Sequence, residues 1–319
     1  MIGLLARGLS PAGARARLSV LILHRVLPAP DPLFPGEIDA RFFDALCRWV
    51  THWFHVLPLA EATRRLRDGT LPAAAMAITF DDGYADNHDV ALPILQRHGL
   101  RATFFIASGF LDGGRMWNDT VIEAVRCSQR DRLDLGALGV RDGGHCPLDS
   151  PAGRRRAIEA LIGALKYLGP AARDAAVQRV ARACAATLPN DLMMSSAQVR
   201  ALRAGGMQVG GHTVSHPILA RLTDAEARAE IQDGKHALEA LLDAPVTAFA
   251  YPNGKPGTDY APTHARMARE AGFELACSTA WGSAGQATEP FQLPRFTPWD
   301  RTRLRFGARL LGNLRRTPG

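Results

Sequence analysis

Long apolar runs are missing from this sequence. No segment approaches the ~18 consecutive apolar residues of a membrane-spanning helix. The opening Met1–Leu5 falls short of the ~7–15-residue apolar stretch of a secretory signal, and the run Val20–Leu23 passes straight into His24 and Arg25. A cytoplasmic protein, or one peripheral to a membrane, is the resulting expectation. Cysteine is scarce: the five are Cys47, Cys127, Cys146, Cys184 and Cys277, with no Cys-x-x-Cys spacing. An odd count in that arrangement argues against a disulfide framework or a thiolate zinc site and leaves buried, inert thiols. Lysine is nearly absent, so the net charge of +7 is carried by arginine. Arginine and alanine in place of lysine and isoleucine reflect genome base composition as readily as function. The arginines are scattered, with no aromatic-interleaved basic stripe, so nucleic acid is not an expected partner. No repeat of fixed period is present, and nothing in the pattern specifies an oligomer.

What is present is a chain of 319 residues, 47% hydrophobic, long enough for a full core. Since α/β barrels reach ~250 residues as one unit, the length does not require two domains, and residues 1–319 read as one. Short Val/Ile/Leu/Ala-rich runs at Leu18–Leu23, Phe54–Leu57, Ala75–Phe80, Ala102–Ile106, Gln208–Val209, Ala248–Tyr251 and Leu275–Ser278 read as buried strands. Helical spacing fills Asp39–Val50, Leu59–Asp68, Asn87–His98, Ala197–Ala204, Asp224–Leu242 and Tyr260–Ala271. That alternation predicts a parallel sheet with crossover helices. Residues 121–194 break the rhythm. They are Ala- and Arg-rich and mostly helical in pattern, interrupted by a Gly-rich stretch at Gly136–Cys146, and read as an insertion.

Two stretches carry chemistry. Ile78-Thr79-Phe80-Asp81-Asp82-Gly83-Tyr84 delivers two carboxylates to the C-terminal end of a strand, where sites form in parallel α/β folds. One carboxylate can hold a cation while its neighbour stays free as a base; alone, the triplet could equally be a solvated turn. Gly210-Gly211-His212-Thr213-Val214-Ser215-His216-Pro217 places two imidazoles at i and i+4, a spacing that brings them to one side of a helical turn. Such a pair is weak evidence by itself. Combined with a strand-end Asp, it makes a three-ligand set that leaves a position open for water, as catalytic zinc sites do.

Together, TFDDGY and GHTVSHP resemble the polysaccharide deacetylase family, the NodB-homology or carbohydrate esterase family 4 group, over about residues 18–115 and 195–296. The resemblance implies a distorted (β/α) barrel, often of seven strands. It implies a divalent metal, usually zinc, held by Asp82, His212 and His216, with Asp81 as catalytic base. It implies that the Tyr84 backbone N–H helps to hold the oxyanion, and that the substrate is a carbohydrate carrying acetyl groups, such as the N-acetylhexosamine units of a cell-envelope or exported polysaccharide. Removal of O-acetyl esters is a second reading, and a non-catalytic sugar-binding relative a third; a binding module would have no need of Asp81.

The sequence departs from the family pattern in two places. Phe249-Ala250-Tyr251-Pro252-Asn253-Gly254 resembles the third family motif, but Ala250 stands where an arginine normally orients the base. Leu293-Pro294-Arg295-Phe296 stands where the last motif supplies a histidine as general acid. A Tyr-Pro-x-Gly third motif with a Leu-Pro-Arg ending resembles a branch of the family, and Tyr251, Pro252 and Arg295 are accordingly candidates for substrate contact. His24, directly after the first strand, is the candidate replacement acid or a substrate-positioning donor; a structural histidine capping that loop is the plain alternative. Trp117, with Asn118 beside it, could stack on a sugar ring or pack in a core. The remaining seven histidines have no motif context. The basic segment 301–319 could form a helix with Leu304, Leu311 and Leu314 on one face, resting either on an anionic membrane or across the barrel end.

Overall fold

Every residue of Leu18–Leu23 (β1) and of Ala75–Phe80 (β3) is buried, which is what an apolar strand covered on both faces requires. The computed structural model describes residues 1–316 and divides the chain into two compact units. The first comprises residues 1–29, 38–112 and 194–319, and the second residues 30–37 and 113–193.

The first unit holds a seven-stranded sheet, all parallel, built from β1, His55–Val56 (β2), β3 and Thr103–Ile106 (β4), and, after the second unit's hairpin strands Arg132–Asp134 (β5) and His145–Pro147 (β6), from Gln208–Gly211 (β7), Ala248–Ala250 (β8) and Leu275–Cys277 (β9). Its order is β1-β3-β4-β7-β8-β9, with β2 beside the start of β3. The sheet curls until its ends are bridged by residues 293–296. Leu293 N–H donates to Ala276 O at 2.9 Å, and Phe296 N–H donates to Val20 O at 2.7 Å. Pro294, which has no N–H, explains why this last stave is a pair of bridges and not a regular strand. The distorted (β/α) barrel is therefore the observed fold.

Strand alternation sorts the side chains. Met76, Ile78 and Phe80 of β3 face the surrounding helices, as do Leu21 and Leu23 of β1 and Phe249 of β8. Ala75, Ala77, Leu18, Val20, Ala248, Ala250, Cys277 and Leu293 form the opposite cluster with Phe105. That inner set is mostly small, as a narrow barrel demands. Continuing the alternation past Ala77 puts Thr79 and Asp81 on the inner side of β3. Continuing it past Leu293 does the same for Arg295.

The helices follow the expected pattern with shifts at their ends. Ala40–Trp53 starts at Asp39, whose carboxylate accepts from Phe42 N–H at 2.7 Å, and buries Phe43, Leu46, Cys47, Val50 and Trp53. The helix expected over Asn87–His98 is a π-helical turn, Asn87–Ala91, feeding α-helix Leu92–Arg97. Pro93 cannot donate to the turn before it, so the regular ladder begins only there. The last helix, Arg303–Leu314, does not have the single leucine face expected of it: Leu314 is buried and Leu304 is 72% exposed. Phe306, Leu310 and Leu314 turn inward, and the helix packs on Ile2–Leu9. Residues 317–319 of the expected 301–319 segment lie outside the described residues.

The second unit has its own core, formed around helices Trp117–Arg126, Pro151–Leu165 and Pro170–Cys184. The Gly-rich break is an antiparallel hairpin of Arg132–Asp134 (β5) and His145–Pro147 (β6). Arg126 binds Asp31 at 2.6 Å, tying residues 30–37 into this unit. None of the five cysteines is paired, and four are buried. No helix among the described residues is long and apolar enough to cross a membrane.

Gly210 shows how tightly β7 is held. A Cβ there would lie 2.5 Å from Phe105 Cδ1 and 2.8 Å from Ala248 O. Gly210→Ala should cost about 1–3 kcal/mol by overpacking, read as a lower midpoint in urea or thermal denaturation; an unchanged midpoint would show that β7 has room to move.

Candidate metal and catalytic site

β3 ends in a sharp turn that splits its two carboxylates. Asp82 takes φ +79° and Gly83 φ +94°. A non-glycine residue in the left-handed region is a strained conformation of the kind found at functional sites. Gly83 is needed for a second reason, because a Cβ would meet Ile106 Cγ2 at 3.2 Å. The turn leaves Asp81 pointing into the barrel and sends Asp82 toward the end of β7.

Asp81 meets Arg295 there. Nη1 donates to Oδ1 at 2.6 Å and Nη2 to Oδ2 at 2.8 Å, while Arg295 Nε donates to Ser278 O at 2.8 Å. This two-bonded pairing matches the planar fork of the guanidinium to the carboxylate. Both partners are buried, Arg295 at 1% exposure and Asp81 at 3%. Burial opposes ionisation of Asp81, but the charges of Arg295 and His212 outweigh it and hold the carboxyl below its ordinary value. The arginine that Ala250 fails to supply thus arrives from the stave that bridges β9 and β1.

Asp82 has a different environment. Its Oδ1 lies 3.4 Å from Nε2 of His212 and 3.4 Å from Nε2 of His216, and this buried oxygen has no hydrogen-bond partner. His212 Nδ1 is 2.7 Å from Ala250 O. Only a protonated Nδ1 can donate to that carbonyl, so in the neutral ring it is Nε2 that carries the lone pair, on the side facing Asp82. One ligand atom from each of the three side chains falls within 4.8 Å of the others. An unpartnered carboxylate oxygen between two imidazole nitrogens fits a divalent cation, which prefers such N and O donors. Burial opposes ionisation of Asp82 too, yet the nearby imidazoles keep its carboxyl low. Burial pushes His216 down to about 4, into the neutral form that ligates metal. Burial works the same way on His212, but Asp82 and Asp81 overcome it and raise that imidazole.

The two histidines do not share a helical turn. His212 directly follows β7, with its N–H donating to Ile106 O at 3.0 Å, and the chain then loops through Thr213 at φ +66° to His216 at φ +54°. Glu230, on helix Asp224–Leu242, holds the loop. Its carboxylate accepts from Val214 N–H at 2.9 Å, Ser215 N–H at 2.9 Å and Ser215 Oγ at 2.6 Å. Gly234 on the same helix lets Thr213 approach, since a Cβ would lie 2.8 Å from its carbonyl carbon. Neither support was visible in the motif; both sit in an ordinary amphipathic stretch.

The other sequence-picked residues divide. His24 is exposed at the end of β1, and its charge acts on Asp81, Asp82 and His216. Its carbonyl accepts from Asn87 Nδ2 at 2.8 Å. Tyr84 is buried after the turn, with the Arg25 guanidinium 4.7 Å from its ring centre. Tyr251 is fully buried, its ring 3.8 Å from that of Tyr260 and its hydroxyl donating to Phe291 O at 3.0 Å; Pro252 beside it is buried as well. Arg295 has its guanidinium engaged by Asp81, Ser278 and Thr79. Trp117 and Asn118 belong to the second unit, where Trp117 packs on that core under the Arg173 guanidinium. Of the histidines without motif context, His98 is bonded to Asp44, His88 to Asp89 and His264 to Ala261 N–H.

Comparison with known proteins agrees with this geometry. The family model described as "Polysaccharide deacetylase" matches residues 68–128 and 171–276. The chain is 20% identical over 282 residues to the Bacillus subtilis (strain 168) protein YxkH, which carries a polysaccharide deacetylase name, covering 88% of this chain and 71% of that one. Among solved structures it is similar to the Streptococcus pyogenes deacetylase PplD in complex with acetate, with TM-score 0.62, 19% identity, and 94% and 99% of the two chains covered. It is likewise similar to IcaB from Ammonifex degensii, with TM-score 0.57, 20% identity, and 93% and 98% covered. At these identities the structural likeness establishes the shared fold.

Two outcomes test the site. His212→Ala, His216→Ala and Asp82→Ala should each abolish stoichiometric binding of added zinc while leaving the circular dichroism spectrum unchanged; full zinc retention by His212→Ala would rule out this ligand set. Arg295→Met should destabilise the fold by about 3–5 kcal/mol, because it strands a buried carboxylate. Much of that loss should return in the Arg295→Met/Asp81→Asn double variant. Equal stability of the two variants in denaturant would show that the pair does not act as a unit.

Proposed function

This chain belongs to the polysaccharide deacetylase family, and from that premise we propose that it is a metal-dependent hydrolase that removes acetyl groups from a carbohydrate, with N-acetylhexosamine units of a cell-envelope or exported polysaccharide as substrate. The observation that carries the metal-dependent reading is the Asp82 Oδ1, buried without a hydrogen-bond partner between two imidazole nitrogens at 3.4 Å. Asp82, His212 and His216 would hold the ion, zinc by preference for this donor set. When bound, the ion would polarise the acetyl carbonyl and make a water acidic enough to attack near neutral pH.

The remaining work belongs to the chain. Asp81 is the base: it stands 4.0 Å from His212 Nε2, next to the ligand set but not part of it, and Arg295 keeps it ionised and fixed in direction. It takes the proton of the attacking water. The Tyr84 backbone N–H, just past the turn, donates to the oxyanion that forms on the acetyl carbon. Departure of the amine requires a proton on the sugar nitrogen. Arg295 cannot give one, since guanidinium stays protonated near neutrality. His24, exposed at the rim with its charge felt by Asp81, Asp82 and His216, is the donor proposed for that step.

The intact base favours catalysis over a sugar-binding role. Hydrolysis of a GlcNAc oligomer should release acetate and free amine in equal amounts, whereas acetate released from an O-acetylated glycan without amine would favour the esterase reading. Asp81→Asn should keep its zinc and lose about 10²–10⁴-fold in turnover; near-normal kcat would reduce Asp81 to a turn residue. His24→Gln should lose the basic limb of the kcat/KM profile with zinc retained, and a wild-type profile would remove His24 from the mechanism.

A further inference from the structure

The catalytic reading leaves the N-terminal and C-terminal helices without a role, and their surfaces are unusual. Among the described residues, the large hydrophobic side chains that stand exposed include Met1, Leu4, Leu5, Trp299 and Leu304. All five lie in residues 1–9 or in the segment leading into helix Arg303–Leu314, while the other two, Tyr167 and Leu168, lie in the second unit. The two helices pack on each other so closely that a Cβ on Gly307 would lie 2.3 Å from Ile2 Cδ1. Leu4 and Leu304 line one shallow depression together with Arg7 and Arg303. These leucines are therefore neighbours in space although 300 positions apart in sequence.

The charged residues that line this depression are both arginines, Arg7 and Arg303. Residues 1–30 and 301–319 contain no Asp or Glu. Arg7, Arg301, Arg303, Arg305, Arg309, Arg315 and Arg316 are all exposed. Arg309 is paired with Asp300 at 2.6 Å, and Arg303 lies over the Trp53 ring at 5.5 Å. Exposed leucines inside an arginine field are costly in water and are what an interfacial amphipathic element presents to a bilayer.

We propose that this two-helix face docks on an anionic phospholipid surface, with Leu4, Leu5 and Leu304 entering the headgroup–acyl boundary and the flanking arginines meeting lipid phosphates. A second copy of the chain is a poor occupant, because a two-fold contact would set arginine against arginine, and Asp300, the carboxylate beside them, is already taken by Arg309. Nucleic acid would use the arginines but leaves the leucines unexplained. Docking of this kind would hold the enzyme beside a membrane without a spanning segment. It does not depend on the catalytic assignment, so either can fail without the other.

The test is co-sedimentation of the full chain with phosphatidylcholine vesicles with and without phosphatidylglycerol. Wild-type protein should pellet with the anionic vesicles and stay in solution with the neutral ones, and raising the salt should weaken binding. Leu4→Ser/Leu304→Ser and Arg7→Ser/Arg305→Ser should each lower partitioning at least about tenfold with thermal midpoint and deacetylase turnover unchanged. Equal partitioning of wild-type protein to both vesicle types would overturn the proposal. So would full binding by the leucine variant, or loss of vesicle binding to competing duplex DNA, either of which would assign the surface to polyanions in general.

Discussion

The buried pair of Asp81 and Arg295 is the contact on which the arrangement of the barrel and its chemistry both depend. A carboxylate inside a ring of alanines would be neutral without a counter-charge. Arg295 supplies that charge at 2.6 and 2.8 Å, and a third bond from its Nε to Ser278 O fixes the plane of the guanidinium. Arg295 can reach Asp81 only because residues 293–296 bridge β9 and β1. Barrel closure and the ionised state of Asp81 are thus one structural fact. The small inner residues Ala75, Ala77, Ala248 and Ala250 leave the room that the pair occupies.

The neighbouring carboxylate illustrates the opposite solution. Asp82 is separated from Asp81 by one peptide unit, and a left-handed backbone step sends it to two imidazoles instead of a guanidinium. One carboxylate is fully satisfied by protein donors and the other keeps an orphaned oxygen. Two chemically identical side chains are thereby given different environments, one fixed by a guanidinium and one open between two imidazoles. Supports farther out complete the division. Ala250 O sets the tautomer of His212, and Glu230 holds the loop that carries His216.

Ala250 gives this geometry an unexpected economy. The position that lacks the family's usual arginine contributes its carbonyl to His212, and its methyl side chain lies among the inner cluster. An arginine there would compete with Arg295 for the same interior volume and the same carboxylate. In this chain the guanidinium that meets Asp81 comes from Arg295, on the stave that bridges β9 and β1, and not from the position of Ala250.

Much of this was legible in the chain itself. Apolar runs ending in Asp-Asp-Gly and Gly-Gly-His placed the strands, and the alternation of strands and helices implied the parallel sheet, because local hydrophobic pattern reports burial directly. The candidate ligand set came from motif spacing and family resemblance, and its three side chains do come together. The partner of Asp81 was not: Arg295 lies 214 positions away, on a stave too irregular to carry a strand pattern, and nothing local marks it as buried. The loop path between the two histidines was also hidden, since i and i+4 spacing suits a helical turn while Glu230 and Gly234 impose left-handed steps from a distant helix. The sequence by itself determined which side chains are candidates for the chemistry and on which strand ends most of them stand. Only the tertiary structure decided which charge faces which, because ion pairing inside a barrel depends on closure, and closure is a long-range event that no local pattern encodes.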